Sequence, residues 1–87
     1  MGITENVGTF NLSAETITIV EAWSVRNLSI VLVSGTVTIT GLMKLGARNS
    51  DSYTLLAGLP LNLSFDFSMD GVTINASAGA ATLITGK

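Results

Sequence analysis

Apolar and polar residues alternate along most of this chain. The alternation is clear over residues 16–20, 36–40, 61–69 and 72–76, and no stretch repeats with the period of an α-helix. A repeat of two residues is typical of strands that bury one face, so the pattern predicts an all-β protein. Residues 27–33 become apolar on both faces towards their end, which predicts a central strand.

Glycine-containing pairs between the alternating segments predict hairpin turns. A two-residue turn at Asp70-Gly71 sets Phe67 opposite Ile74, so that apolar side chains meet on one face. The same test favours two-residue turns at Ser34-Gly35 and Ala78-Gly79, and a three-residue turn at Ala57-Gly58-Leu59 with Gly58 in the left-handed region.

These turns predict a C-terminal four-stranded meander from about residue 52 to residue 85. One face of the meander is apolar and needs a second layer, which the strands predicted near residues 9–12, 15–20, 25–33 and 36–41 can supply. The apolar face carries Tyr53, Leu55, Leu61, Leu63, Phe65, Phe67, Met69, Val72, Ile74, Ala76 and Leu83. The prediction is a two-layer antiparallel β-sandwich of about eight strands, either two stacked meanders or a jelly roll.

The length of 87 residues predicts a single β-sandwich domain that spans residues 1–87. Within it, residues 1–8 are expected to form an N-terminal arm. Residues 42–51 are expected to form the longest loop, which concentrates Lys44, Arg48 and Asp51.

The composition of the chain indicates that it assembles with copies of itself. Charged residues are 11% of the chain, against roughly 25% in an average soluble domain, while Ser, Thr and Asn supply 26 residues. The chain has no Cys and therefore no disulfide, and a domain this small buries only a thin core. Oligomerisation is the remaining way to stabilise it, so a homo-oligomer is expected.

Several partners are not expected. The net charge of −2 and the scatter of the four basic residues argue against nucleic acid. The longest apolar run, residues 30–33, is too short to cross a bilayer, and residues 1–14 lack the basic start and apolar run of a signal peptide.

The residue types of the chain give little support for catalysis or metal binding. Without His or Cys the chain can build neither a Ser-His-Asp triad nor a typical zinc site. Asp66 and Asp70 could form a carboxylate pair or hold calcium, but a solvated strand face explains Asp66 and turn chemistry explains Asp70. We therefore expect no enzymatic activity, no cofactor and no metal.

Four Asn-x-Ser sequences would be glycan acceptors in a secreted eukaryotic protein. They begin at Asn11, Asn27, Asn62 and Asn75. Because no signal peptide is expected, we interpret them as polar faces of strands.

Three phrases of the sequence resemble small virion proteins of tailed bacteriophages. They are VRNLSIVLVSGTVTITG at residues 25–41, YTLLAG at residues 53–58 and AGAATLI at residues 78–84. Such proteins are β-sandwiches rich in Ser, Thr and Gly that decorate capsids or form fibre and tail modules. The resemblance implies a virion location and a structural subunit that binds a major capsid protein, other virion subunits or copies of itself.

The expected function is thus capsid decoration or an auxiliary role in a phage shell, through surface burial and pairing of strand edges. The residues expected at the interface are Ile3, Val7, Phe10, Trp23, Met43, Lys44 and Arg48. For Trp23 a place in the core or at the sandwich edge is favoured over a role as an interface anchor. The alternative function is a carbohydrate-binding or adhesin-type module that uses the outer face of the meander, with Asn62, Asp66, Thr73 and Asn75.

Overall fold

The protein is described by a computed structural model that covers residues 8–46 and 50–87. Six strands and one short 3-10 helix form its regular structure, and no α-helix occurs in these two ranges. The strands are β1 (Gly8–Ser13), β2 (Thr16–Thr18), β3 (Asn27–Thr40), β4 (Tyr53–Thr54), β5 (Leu61–Ser64) and β6 (Thr73–Gly86), and the 3-10 helix is Glu21–Trp23. The predicted all-β class is confirmed.

All six strands belong to one antiparallel sheet. The long strands β3 and β6 lie at its centre and pair with each other over almost their full length. Both β1 and β2 pair with the outer side of β6, and both β4 and β5 pair with the outer side of β3. Residues 8–18 therefore form one interrupted edge of the sheet, and residues 53–64 form the other.

Both central strands are irregular near their middle. The β3–β6 register shifts between Leu32 and Ser34 and again between Thr36 and Thr38. The buried positions of β3 are even-numbered before these shifts and odd-numbered after them, and β6 changes parity in the same region. An extra residue in a strand reverses its alternation, so the bulges keep the same face of the sheet against the core.

That face carries one hydrophobic core. Its sixteen buried residues are Leu12, Ile19, Val25, Leu28, Ile30, Val37, Ile39, Leu42, Leu55, Leu61, Met69, Val72, Ile74, Ala76, Ala81 and Leu83. One polar side chain, Thr85, is buried with them, and its hydroxyl has no hydrogen-bond partner.

The predicted C-terminal meander is wrong. Strand β5 pairs with β3 rather than with β6, and β3 separates the two. The predicted hairpins at Ser34-Gly35 and Ala78-Gly79 are also wrong, because these pairs lie inside the continuous strands β3 and β6. Their glycines face each other there, at the irregular middle of the two strands.

The segment after β5 does not form the predicted hairpin at Asp70-Gly71 either. The amides of Met69 and Gly71 donate to the carbonyls of Val25 and Ile19. This segment is therefore bonded to the connection between β2 and β3, and β6 starts afresh at Thr73.

The turn at Ala57-Gly58 is tighter than predicted. The amide of Leu59 donates to the carbonyl of Leu56, which closes a two-residue loop instead of a three-residue one. Gly58 has a φ of 74°, in the left-handed region as predicted.

Candidate functional site

A groove of about 370 Å³ crosses β3, β5 and β6. Its lining is three consecutive residues from each strand: Asn27, Leu28 and Ser29, Asn62, Leu63 and Ser64, and Ile84, Thr85 and Gly86. The middle residue of each triplet points towards the core, so its two neighbours point away from it. We call this depression on the outer face the Asn–Ser groove.

The walls of the Asn–Ser groove are tied together by reciprocal hydrogen bonds. The antiparallel register sets Asn27 opposite Ser64 and Ser29 opposite Asn62. The Ser64 hydroxyl donates to Oδ1 of Asn27, and the Ser29 hydroxyl donates to Oδ1 of Asn62, each at 2.7 Å. The pattern arises because both strands contain Asn-Leu-Ser, which pairs with an antiparallel copy of itself. These hydrogen bonds hold the four side chains in place.

The remaining side of the groove is apolar and open. Ile84 is 48% exposed, and Gly86 adds no side chain opposite Asn27. The Nδ2 group of Asn27 donates to the carbonyl oxygen of Lys87 at 3.2 Å. None of the nine lining residues carries a charge.

An aromatic pair follows β5 in the chain. The rings of Phe65 and Phe67 stack with centroids 4.9 Å apart and an interplanar angle of 26°. Phe65 packs against the core, whereas Phe67 is 48% exposed. The sequence placed Phe67 on the buried face of the meander, and this is wrong because the segment leaves β5 before it.

The predicted carbohydrate site is not assembled as expected. Asn62 lies on β5 opposite Ser29, while Thr73 and Asn75 lie on the far half of β6 beside β2. Asp66 lies in the segment after β5. Because the meander does not form, these four side chains do not share its face.

The predicted interface residues lie on separate elements. Phe10 on β1 and Trp23 in the 3-10 helix are half-buried and pack against the core. Met43 and Lys44 are exposed in the connection after β3. The predictions for Ile3, Val7 and Arg48 lie outside the described residues.

A second surface feature follows the irregular middle of the strands. Val33 is 63% exposed, and Leu56 and Leu59 are each 54% exposed. Val33 is the extra residue at the first register shift, and the Leu56–Leu59 turn lies alongside it, since Leu55 bonds to Val37 and Leu61 pairs with Ile30. We call these three residues the bend patch.

Charge is segregated from the bend patch. Within residues 8–46 and 50–87, seven of the eight charged residues lie at or beyond the ends of the long strands, and Glu15 is the exception. The seven are Glu21, Arg26, Lys44, Asp51, Asp66, Asp70 and Lys87. The surface near the bends is therefore almost free of charge.

The described part of the chain contains no group of three or more His, Cys, Asp or Glu side chains able to hold a metal ion. It also contains no helix with the length and apolar character needed to cross a membrane.

Comparisons with known proteins give no relative. No family model, no curated protein and no solved structure matches this chain.

Proposed function

We propose that this protein is a structural subunit of a tailed-phage virion, a capsid-decorating or auxiliary protein that acts through protein–protein contacts. The bend patch carries the part of the proposal that concerns protein–protein contacts. Exposed apolar patches often mark protein–protein contacts, and three of the exposed apolar side chains, Val33, Leu56 and Leu59, lie alongside one another where charge is scarce.

The occupant proposed for the bend patch is a second copy of the chain. Seven of the eight described charges lie away from the patch. Docking it against the charged part of a neighbour would bury ions without partners, which is costly. Two bend patches meeting each other bury apolar side chains of Val33, Leu56 and Leu59 and leave these charges in water.

We further propose that the sheet folds over at its bends into a two-layer jelly roll. In this arrangement one layer has the order β1–β6–β3–β5 and the other has the order β2–β6–β3–β4, which is the strand order of an eight-stranded jelly roll. The pairings and the single buried face support it, and so does a thickness of 19 Å, since stacked sheets lie roughly 10 Å apart. Jelly rolls are frequent in viral capsids and also in lectins.

The sheet edges support contacts with other virion subunits. Strand β1 pairs only with β6, and β5 pairs only with β3, within the described residues. Neither strand contains a charged residue or a proline. Soluble proteins usually protect such edges with charge, proline or a covering element, so a partner that covers these edges is expected.

The experiment is size-exclusion chromatography with light scattering on the wild type, Leu56→Asp and Met43→Asp. Met43 is 55% exposed and lies away from the bend patch, among the interface residues expected from sequence. Met43→Asp therefore controls for adding a charge to an exposed apolar position and tests that alternative interface. We expect wild type and Met43→Asp to self-associate and Leu56→Asp to be monomeric. A monomeric wild type, or dissociation by Met43→Asp alone, overturns the bend patch as the interface.

The virion part of the proposal needs its own measurement. Tagged protein is mixed with shells of the phage that encodes it, lacking their own copy, and the shells are sedimented. Stoichiometric recovery with the shells is expected, and recovery equal to that of an unrelated domain of similar size rejects the virion role.

A further inference from the structure

We propose that strand β1 pairs antiparallel with β1 of a second copy of the chain, so that Asn11 lies opposite the partner's Ser13. A two-fold axis between the copies repeats the contact, and Leu12 faces the partner's Leu12 across it. This inference rests on the proposed assembly role and deepens it, because it names the partner of one sheet edge and the register of the contact.

Strand β1 carries a third copy of the segment that forms the groove walls. Asn-Leu-Ser occurs at residues 11–13 in β1, 27–29 in β3 and 62–64 in β5. The copies in β3 and β5 pair antiparallel, and each serine donates to the asparagine opposite. The copy in β1 pairs instead with residues 80–82 of β6. Within the described residues, the exposed Ser13 hydroxyl makes no hydrogen bond.

The outer edge of β1 presents its backbone groups in the phase that this register needs. The amide of Ala14 donates to the carbonyl of Gly79 on β6, whereas the amide of Ser13 donates to Oε1 of Glu15 at 3.4 Å. Amides alternate in direction along an antiparallel strand, so those of Asn11 and Ser13 point away from β6. Asn11 and the partner's Ser13 can therefore exchange both backbone hydrogen bonds, with a partner carbonyl replacing Glu15 as the acceptor.

The segment itself identifies a second copy as the occupant. Asn-Leu-Ser is complementary to an antiparallel copy of itself, as the pairing of β3 with β5 demonstrates. The copy on the other sheet edge, in β5, already has its serine and asparagine bonded to β3. Strand β1 carries no charge, so two copies of it meet without like charges opposite each other.

The contact is small. Three residues from each strand bury much less than the roughly 800 Å² per partner of a standard interface, so β1 pairing alone is weak. It strengthens assemblies in which the bend patch already brings copies together. Leu56→Asp therefore stays monomeric at micromolar concentration and pairs through β1 only near about 1 mM.

The test is cysteine cross-linking in the Leu56→Asp background, which removes the bend-patch contact. The chain has no Cys, so Asn11→Cys and Ser13→Cys each introduce a single thiol. Opposite residues of a hydrogen-bonded antiparallel pair lie roughly 5.5 Å apart between Cα atoms, which suits a disulfide. The two variants, one of them tagged, are mixed at about 1 mM in a glutathione buffer. We expect the mixed dimer to exceed either symmetric dimer about tenfold or more, and a statistical mixture overturns the proposal.

The other sheet edge supplies the matched control. Asn62→Cys mixed with Ser64→Cys should give only the statistical mixture, because these positions on β5 already pair with β3. Asn11→Cys mixed with Ser64→Cys tests head-to-tail pairing of the two edges. A preferred cross-link in that mixture contradicts the two-fold contact.

A second measurement follows the backbone. In ¹H–¹⁵N NMR spectra of Leu56→Asp, dilution from about 1 mM should shift the amides of residues 9–13 and leave those of residues 62–64 unchanged. Ser13→Pro removes the outward amide and keeps the bonds to β6, so it should abolish these shifts in a well-dispersed spectrum. Ser13→Ala keeps the backbone bonds and should weaken pairing about threefold or more. Unchanged pairing in Ser13→Pro, or no concentration dependence at residues 9–13, overturns the proposal.

The two contacts fail separately. If the wild type is monomeric in chromatography but the mixed dimer forms at about 1 mM, only the bend patch is rejected. If the wild type self-associates but no preferred cross-link forms, only the β1 contact is rejected.

Discussion

Gly35 of β3 and Gly79 of β6 lie directly opposite each other where the two central strands are irregular. A Cβ atom on Gly79 would stand 2.5 Å from the carbonyl oxygen of Ser34, and a Cβ atom on Gly35 would overlap the carbonyl oxygen of Ala78. Neither position has room for any side chain. The close approach of β3 and β6 at the irregular middle of the two strands therefore depends on this glycine pair.

We predict that Gly79→Ala lowers the free energy of unfolding by about 1–3 kcal/mol and that Gly35→Ala lowers it by about 2–5 kcal/mol. At Gly79 the added Cβ atom would overlap backbone atoms of β3, and such overpacking costs about 1–3 kcal/mol. Gly35 also has a φ of 67°, which adds about 1–2 kcal/mol for a residue with a side chain. Urea unfolding followed by circular dichroism measures both values.

Gly58→Ala is the matched control for backbone conformation. Gly58 has a φ of 74°, but no atom lies within 4 Å of where its Cβ would be. Its cost is therefore expected to be only the conformational part, about 1–2 kcal/mol. No loss at position 79, together with a loss at position 35 no larger than that at position 58, would mean that the close approach of the strands does not matter for stability.

The same glycines explain why the sequence misled about strand pairing. A glycine between two alternating segments is expected at a hairpin turn and is equally expected at a bend inside a long strand. Ser34-Gly35 and Ala78-Gly79 are of the second kind, and only the contact between β3 and β6 distinguishes the two cases. That contact joins residues far apart in the chain, so local patterns do not contain it.

The assignment of residues to the buried face was far more successful. Seven of the eleven residues predicted for the apolar face of the meander are buried, and Tyr53, Leu63 and Phe65 are half-buried. Alternation reports which way a side chain points relative to the core, whatever strand lies beside it. Phe67 is the exception, because it follows β5 in an irregular segment where alternation no longer applies.

The exposed position of Phe67 gives a second prediction. Phe65→Ala should lower the free energy of unfolding by about 2–4 kcal/mol because Phe65 packs against the core. Phe67→Ala removes the ring stacking and little burial, so about 1 kcal/mol or less is expected. Thermal unfolding of the two variants compares them, and a larger loss for Phe67→Ala would restore the placement predicted from sequence.

The buried hydroxyl of Thr85 gives a third prediction. Its Oγ1 atom has no hydrogen-bond partner. On folding, this hydroxyl loses its hydrogen bonds to water and gains none in return, so Thr85→Val removes a destabilising polar group. We expect the free energy of unfolding to rise by about 1 kcal/mol, measured by urea unfolding.

Thr82→Val is the control on the same strand. The Thr82 hydroxyl donates to Oδ1 of Asn11 at 3.1 Å on the outer face, so its removal should cost about 0.5–1 kcal/mol. If both valine variants destabilise the protein, the Thr85 hydroxyl has a partner after all.

The Asn–Ser groove could be anticipated from sequence only in part. The sequence identified Asn27-Leu28-Ser29 and Asn62-Leu63-Ser64 as polar strand faces, and both segments lie in strands. Nothing local shows that these two segments pair with each other, because the antiparallel contact between β3 and β5 crosses more than thirty residues. The groove results from that pairing together with the small Gly86 on the third strand.

The reciprocal pairing of the two Asn-Leu-Ser segments gives the last prediction. In a double-mutant cycle, Ser64→Ala and Asn27→Ala should show a coupling energy of about 0.5–1 kcal/mol, since they share one cross-strand hydrogen bond of 2.7 Å. Ser64→Ala combined with Asn11→Ala is the matched control. Asn11 lies on β1 and bonds to Thr82 of β6. The effects of Ser64→Ala and Asn11→Ala on the free energy of unfolding should therefore be additive. The free energies of unfolding come from urea titrations of all the variants. Additive effects of Ser64→Ala and Asn27→Ala, as in the control pair, would contradict the β3–β5 register on which the groove depends.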